Sequence, residues 1–145
     1  MDPAFEVDTG AGAQRPRALI VEDHDDTREL YKYALKQLGW HAESVESGAQ
    51  ALIVAPLFRP DVIVMDLAMA DVDGFEAIKR LKLEPRTAGA PIVVVTGHGT
   101  AANVGRARRL GAAVVLTKPY PPDDLRWVLE DAMRGRYPEG TRGSS

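Results

Sequence analysis

Four short apolar runs each deliver a polar side chain of a particular kind. Ala18-Leu19-Ile20-Val21 ends in Glu22-Asp23, and Asp61-Val62-Ile63-Val64-Met65 ends in Asp66. Ile92-Val93-Val94-Val95 ends in Thr96, and Ala113-Val114-Val115-Leu116 ends in Thr117-Lys118-Pro119. Runs of this length, rich in β-branched residues and apolar throughout, read as strands buried on both faces of a parallel sheet. Open α/β sheets bind ligands at the C-terminal edge of their strands. The four ends would therefore offer an acidic pair, a lone aspartate, a hydroxyl and an ammonium to one crevice. Glu22, Asp23 and Asp66 at a few ångströms repel one another, and without a cation at least one of their pKa values should rise sharply. A divalent ion removes the conflict, and an all-oxygen donor set with no thiolate suits Mg2+, whose open positions can hold a phosphoryl oxygen. In-line phosphoryl transfer to an aspartate needs a nucleophile and positive charge on the equatorial oxygens. Asp66 would be the nucleophile, Lys118 the point charge on the phosphoryl group, and Thr96 a hydroxyl donor to it.

The rest of the composition narrows the class. A chain of 145 residues, 45% hydrophobic, fits one domain with a full core. The net charge of −3 gives no electrostatic reason to expect nucleic acid as a direct partner. With no cysteine, disulfides, thiolate chemistry and Cys-based zinc sites are excluded, which is compatible with a reducing compartment. The apolar runs fall far short of the roughly 20 residues a membrane helix needs, and the N-terminus lacks signal-peptide order, so no membrane contact and a cytoplasmic location are the default expectation.

Between the strands, segments with helical spacing alternate regularly, predicting a parallel sheet flanked by helices. The first helix should begin near Asp25 or Asp26, either able to cap it, and turn Leu30, Tyr33, Ala34 and Leu38 inward before Gly39 stops it. His41 to Val45 reads as a short edge strand. Ser47 to Ala55 reads as a helix carried by Ala49, Leu52 and Ile53, with Pro56 and Pro60 ending the connection. Gly74 to Leu83 follows, with Phe75, Ile78 and Leu81 on one face. The fourth helix runs from Thr100 to Leu110, weakened by Gly105 and closed by Gly111. Pro121-Pro122 leads into a fifth, with Leu125, Val128, Leu129 and Met133 facing in. Residues 1–16 and 135–145 read as loose tails around a domain spanning 17–134.

Taken together these residues resemble the receiver domain of bacterial response regulators, of the chemotaxis-regulator type. The resemblance rests on Val21-Glu22-Asp23, Val64-Met65-Asp66-Leu67, Met69 with Asp73-Gly74, Val95-Thr96-Gly97, Gly111-Ala112 and Thr117-Lys118-Pro119. Each motif is weak alone, but their order and spacing are specific: Asp66 lies 43 residues after Asp23, Thr96 another 30 on and Lys118 another 22. The resemblance implies a flavodoxin-like (βα)5 three-layer sandwich with a five-stranded parallel sheet in the order 2-1-3-4-5. It implies that Asp66 accepts phosphate from a histidine kinase or histidine phosphotransfer protein. Glu22, Asp23, Asp66 and the Ala68 carbonyl would hold Mg2+, and Lys118 and Thr96 would bind the phosphoryl group. It further implies a cis Lys118-Pro119 bond, a downstream protein target, and pairing of copies through the fourth and fifth helices as one possibility. The chain departs from the family pattern at two places. Val115 stands where a tyrosine or phenylalanine is usual, removing the aromatic that moves with the hydroxyl, and Ala70 replaces a common loop proline. The switching movement should then fall on the Thr96 to Gly99 loop and the Gly105-containing helix. Ala68 and His98, two residues after Asp66 and Thr96, would flank the phosphoryl group, and Ala68 gives water no hydrogen-bond partner there.

Each reading has a plainer alternative. A strand-end aspartate can simply cap the next helix, Glu22 can act only through water, and Lys118 can be a surface lysine. His98 is either a pH-sensitive gate or a solvated loop residue, and His24 could add a nitrogen ligand beside Asp23. Arg106, Arg108 and Arg109 form a docking face or a solvated one. Trp127 and Tyr120 mark a partner surface, or Trp127 covers the core. Two functional alternatives remain: a Mg2+-dependent phosphatase of the haloacid-dehalogenase type, which needs a second aspartate where this chain has Ala68, and a receiver piece of a larger regulator or hybrid kinase.

Overall fold

The computed structural model describes residues 15–68 and 73–136. Five β/α units alternate as β1 (Arg17–Val21), α1 (Asp25–Gln37), β2 (His41–Val45), α2 (Gly48–Phe58), β3 (Val62–Met65), α3 (Gly74–Leu83), β4 (Ile92–Thr96), α4 (Ala101–Leu110), β5 (Val114–Thr117) and α5 (Pro122–Met133). The strands form one parallel sheet in the order β2-β1-β3-β4-β5, the flavodoxin-like arrangement expected. Register places Val21 beside Met65, so Glu22 and Asp66 leave neighbouring strands at the same level. Thr96 pairs with Thr117, which brings Lys118 to the same edge from the other side.

The pleat sorts strand side chains onto two cores. Leu19, Val21, Ile63, Met65, Ile92 and Val94 point to one face and pack against α2, α3 and α4 through Phe58, Ile78, Leu81 and Ala107. Ala18, Ile20, Val62, Val64, Val93, Val95 and Val114 point to the other, where Tyr31 and Leu35 of α1 meet Leu125, Val128 and Leu129 of α5. Strands buried on both faces need apolar residues at every position, which is the continuous pattern the sequence shows.

Three expectations are corrected. The helix α1 is entered through His24, with Asp25 and Asp26 in its first turn, where their charge favours the positive end of the helix dipole. Its inward residues are Tyr31 and Leu35, while Leu30, Tyr33 and Leu38 stand 52%, 63% and 40% exposed. Positions 30, 33, 34 and 38 form as regular a helical stripe as 31 and 35, so spacing alone could not choose between them. In α2 the helix continues through Pro56 to Phe58, with Ala51, Ala55 and Phe58 buried in place of Ile53. Pro56 forfeits one helical hydrogen bond. The last turn survives because the Arg17 guanidinium donates to the Phe58 carbonyl oxygen at 3.0 and 2.7 Å. It also stacks 4.3 Å from the Phe58 ring.

The loop after β3 is shaped by Gly74. Its amide donates to the Leu67 carbonyl at 2.8 Å, and a Cβ there would stand 2.4 Å from the Leu67 Cα. Only glycine lets α3 start this close to the residue following Asp66. Asp73 caps the helix, its side chain accepting from the Glu76 amide at 2.8 Å. Met69, on which part of the family resemblance rests, and Ala70, where the chain departs from the family pattern, lie outside the described residues, as do most of the two tails. Gly74→Ala should therefore destabilise the fold by roughly 1–3 kcal/mol, the usual cost of forcing atoms into a packed site. Urea denaturation would measure it.

Candidate functional site

Asp66 follows the last residue of β3, and Glu22 follows the last residue of β1. Both are nearly buried, at 7% and 4% exposure. Two carboxylates this dry need a counter-charge. Lys118, reaching back from the end of β5, supplies it: its ammonium donates to Glu22 Oε1 at 2.8 Å and to Asp66 Oδ2 at 2.9 Å. The repulsion anticipated among the acids is thus answered within the chain, by the lysine from the opposite side of the sheet. Burial opposes the charge on Lys118, but its bonds to Glu22 and Asp66 and their negative fields outweigh that, and its pKa lies above the ordinary lysine value.

Each remaining oxygen is also held. Asp66 Oδ1 accepts from the Ala68 amide at 3.2 Å, and Glu22 Oε2 accepts from the His24 amide at 3.1 Å. Thr96 is fully buried; its Oγ1 accepts from the His98 amide at 3.1 Å, which leaves the hydroxyl proton free to donate elsewhere. The Thr96 carbonyl accepts from the Lys118 amide at 2.9 Å, tying the two strand ends together. The Lys118-Pro119 bond is cis.

Asp23 sits at the same edge but is exposed, and Ala68 is exposed as well. Among the described residues no three acidic or imidazole side chains already stand together around a point where a metal could sit. The donor set nevertheless fits a hard cation. Glu22 and Asp66 already converge on one positive group, and Asp23 follows Glu22 directly on the same loop. All three are oxygen donors.

Other candidates are placed as follows. His24 and His98 are exposed on loops of this edge, and the His98 carbonyl accepts from Asn103 Nδ2 at 2.8 Å, fastening the loop to α4. Arg106 lies 4.1 Å over the Phe75 ring, bridging α4 to α3. Trp127 does not cover the core: it is 58% exposed with Arg126 stacked 4.6 Å from it. With Leu30, Tyr33, Leu38 and Pro122 it lines an apolar groove between α1 and α5.

Two residues that help build the site were not singled out from the sequence. Arg28 on α1 donates to the Glu22 carbonyl at 3.0 Å while paired with Asp25, so the helix fixes the main chain that carries the acid. Its spacing from Asp25, one helical turn, was the available signal. Tyr31 donates to the Tyr120 carbonyl at 3.0 Å; a tyrosine four residues before Leu35 on a buried stripe implies a partner for its hydroxyl.

Because the folded-state pKa of Lys118 is raised, its contribution to stability is complete below the unfolded value, about 10.4. It is lost as pH rises through the higher folded value. In chelator, the stability difference between the protein and a Lys118→Met variant should stay level up to about pH 10 and shrink only above it. Urea midpoints taken from neutral to strongly alkaline pH would show this.

Comparison with known proteins agrees with this geometry. The family profile of the response regulator receiver domain matches residues 18–130. Among curated relatives, Regulatory protein AtoC of Escherichia coli K12 is 30% identical over 119 residues, covering 81% of this chain and 25% of that protein. A protein-glutamate methylesterase/protein-glutamine glutaminase of Anaeromyxobacter dehalogenans is 39% identical over 118 residues, covering 79% and 34%. Protein PilH of Pseudomonas aeruginosa is 30% identical over 121 residues, covering 82% and 98%. The chain thus spans a quarter to a third of the first two relatives and nearly all of the third. In structure it is similar to the chemotaxis response regulator CheY4 of Vibrio cholerae, with a TM-score of 0.76 at 27% identity, covering 81% of this chain and 98% of that one. The haloacid-dehalogenase reading gains nothing from these matches. With the sheet order, the acidic strand ends and the lysine clasp all in place, the chain belongs to the response regulator receiver domain family of two-component systems.

Proposed function

We propose that Asp66 is the phosphoacceptor of this receiver, taking its phosphoryl group from a histidine kinase or a histidine phosphotransfer protein. The observation that carries the reading is the Lys118 ammonium held between Glu22 and Asp66. It places a positive charge directly against the Asp66 carboxylate at the end of β3.

In the transfer, an Asp66 carboxylate oxygen attacks phosphorus in line and the bond from phosphorus to the donor histidine nitrogen breaks. The Ala68 amide and Lys118 hold the carboxylate in one orientation beforehand, so little reorganisation is left for the reaction. Lys118 then follows the negative charge onto a phosphoryl oxygen, and the Thr96 hydroxyl donates its unspent proton to another. Glu22, Asp23, Asp66 and the Ala68 carbonyl would hold Mg2+. Held there, Mg2+ would supply further positive charge to the phosphoryl group.

Asp66 phosphorylation changes the charge to which Lys118 and Thr96 respond. To move the protein from 1:99 to 99:1 between two conformations, it must favour one by about 5.5 kcal/mol. The Thr96 hydroxyl is already bonded to the His98 amide, and His98 is fastened to Asn103 of α4, so displacement of the hydroxyl has a path into the β4-α4 loop. Val115, half-buried against the α4 side, supplies no aromatic ring to that path. The kinase or phosphotransfer protein would meet the apolar residues of α1 beside the site, and a downstream protein would read the altered α4 surface.

With acetyl phosphate and Mg2+, intact mass should rise by one phosphate, and Asp66→Asn should abolish the gain. Lys118→Met should slow the uptake by about 10²-fold or more, the scale of losing one preorganised charge at a transition state. An Asp66→Asn protein that still takes up one phosphate refutes the assignment.

A further inference from the structure

The segment that carries Lys118 into α5 is short of ways to hold itself. Of its residues from 118 to 122, Pro119, Pro121 and Pro122 have no amide hydrogen, so only Lys118 and Tyr120 can donate from the main chain. The Lys118 amide is committed to the Thr96 carbonyl, which secures the strand side of the lysine. On the far side the tie comes from a different element. Tyr31 of α1, 4% exposed, donates its hydroxyl to the Tyr120 carbonyl at 3.0 Å, across 89 residues of sequence.

The phenol ring packs in the core between α1, α5 and the sheet. Tyr31 lines the same cleft as Lys118 and Tyr120. Tyr31 also stands beside Leu30, which lines both the α1-α5 groove and the cleft formed with Lys118, Pro119 and Tyr120. One side chain therefore connects the loop bearing the ammonium to the helix whose outer face carries the exposed apolar residues Leu30, Tyr33 and Leu38.

We propose that Tyr31 is a positioning residue for Lys118: its hydroxyl fixes the Tyr120 carbonyl, and through two residues of main chain it sets how far the ammonium reaches toward Asp66. This rests on the reading of Asp66 as phosphoacceptor, and it makes α1 part of the machinery that governs the rate of phosphoryl uptake. A shift of α1 on docking a partner along its outer face would be felt at Lys118 by the same contact. The Tyr31 hydroxyl is bonded to the Tyr120 carbonyl and not to Asp66, so its positioning effect runs through the loop that carries Lys118.

Tyr31→Phe removes the hydroxyl and keeps the ring. Thr87→Val is the comparison: Thr87 is 1% exposed, and its hydroxyl donates to the Leu81 carbonyl at 2.6 Å in the connection that enters β4, away from the site. Two measurements are made on both variants and the unaltered protein. One is the rate of phosphorylation by acetyl phosphate at saturating Mg2+. The other is amide hydrogen exchange over residues 116–124 without phosphate donor. Tyr31→Phe should slow phosphorylation by about tenfold or more, as small misplacements of a reacting geometry do, and should speed exchange over residues 116–124. Thr87→Val should lose stability without either change. The proposal is overturned if Tyr31→Phe slows phosphorylation no more than Thr87→Val does, or if exchange over residues 116–124 is unaltered. If the unaltered protein gains no phosphate at Asp66, the phosphoacceptor reading fails, and the exchange measurement still decides whether Tyr31 holds the loop.

Discussion

Two carboxylates with almost no access to water share one ammonium at the C-terminal edge of the sheet, and the rest of the site is arranged around that sharing. Glu22 and Asp66 come from adjacent parallel strands and Lys118 from a strand two places away from Asp66. Neither acid would tolerate such burial alone, because the desolvation of an unpaired carboxylate exceeds what one neutral hydrogen bond returns. The lysine thus serves stability in the resting protein and is at the same time the group best placed to meet a more negative ligand. Under the proposed phosphorylation of Asp66, the charge now shared by the two acids is the one that would meet the phosphoryl group.

The surrounding structure keeps this trio in register. Gly74 allows α3 to begin against the main chain of Leu67, the residue next to Asp66. Arg28 secures the carbonyl of Glu22, the Thr96 carbonyl secures the amide of Lys118, and Tyr31 secures the chain beyond it. Two of these four ties come from α1. That helix faces the sheet with Tyr31 and Leu35 and faces outward with Leu30, Tyr33 and Leu38, so it is sandwiched between the chemistry and the groove lined by Trp127. Its inner stripe is buried against the sheet and α5. Among the described residues the outer one is exposed.

Much of this was legible from residue order. The unbroken apolar strands gave a parallel sheet because burial on both faces permits no alternation, and the polar residue ending each strand had to stand at one edge because parallel strands share direction. Asp66, Glu22, Lys118 and Thr96 could be named on those grounds, as could the limits of α3 and the glycine that ends α4. The helix boundaries most open to error were those set by weak local rules. Pro56 was expected to end α2, but the helix runs on because Arg17, 41 residues away from Phe58, satisfies its last turn.

The sequence by itself determined which elements form, in what order, and which side chains reach the sheet edge, since these follow from periodicity and strand direction that are local properties of the chain. Tertiary structure alone decided which apolar stripe of α1 turns inward, where the charge of Lys118 is spent, and which carbonyl takes the hydroxyl of Tyr31. Those outcomes depend on distances between segments tens of residues apart. Two stripes of equal regularity, or two acids of equal charge, are distinguished only when a partner surface reaches one of them first.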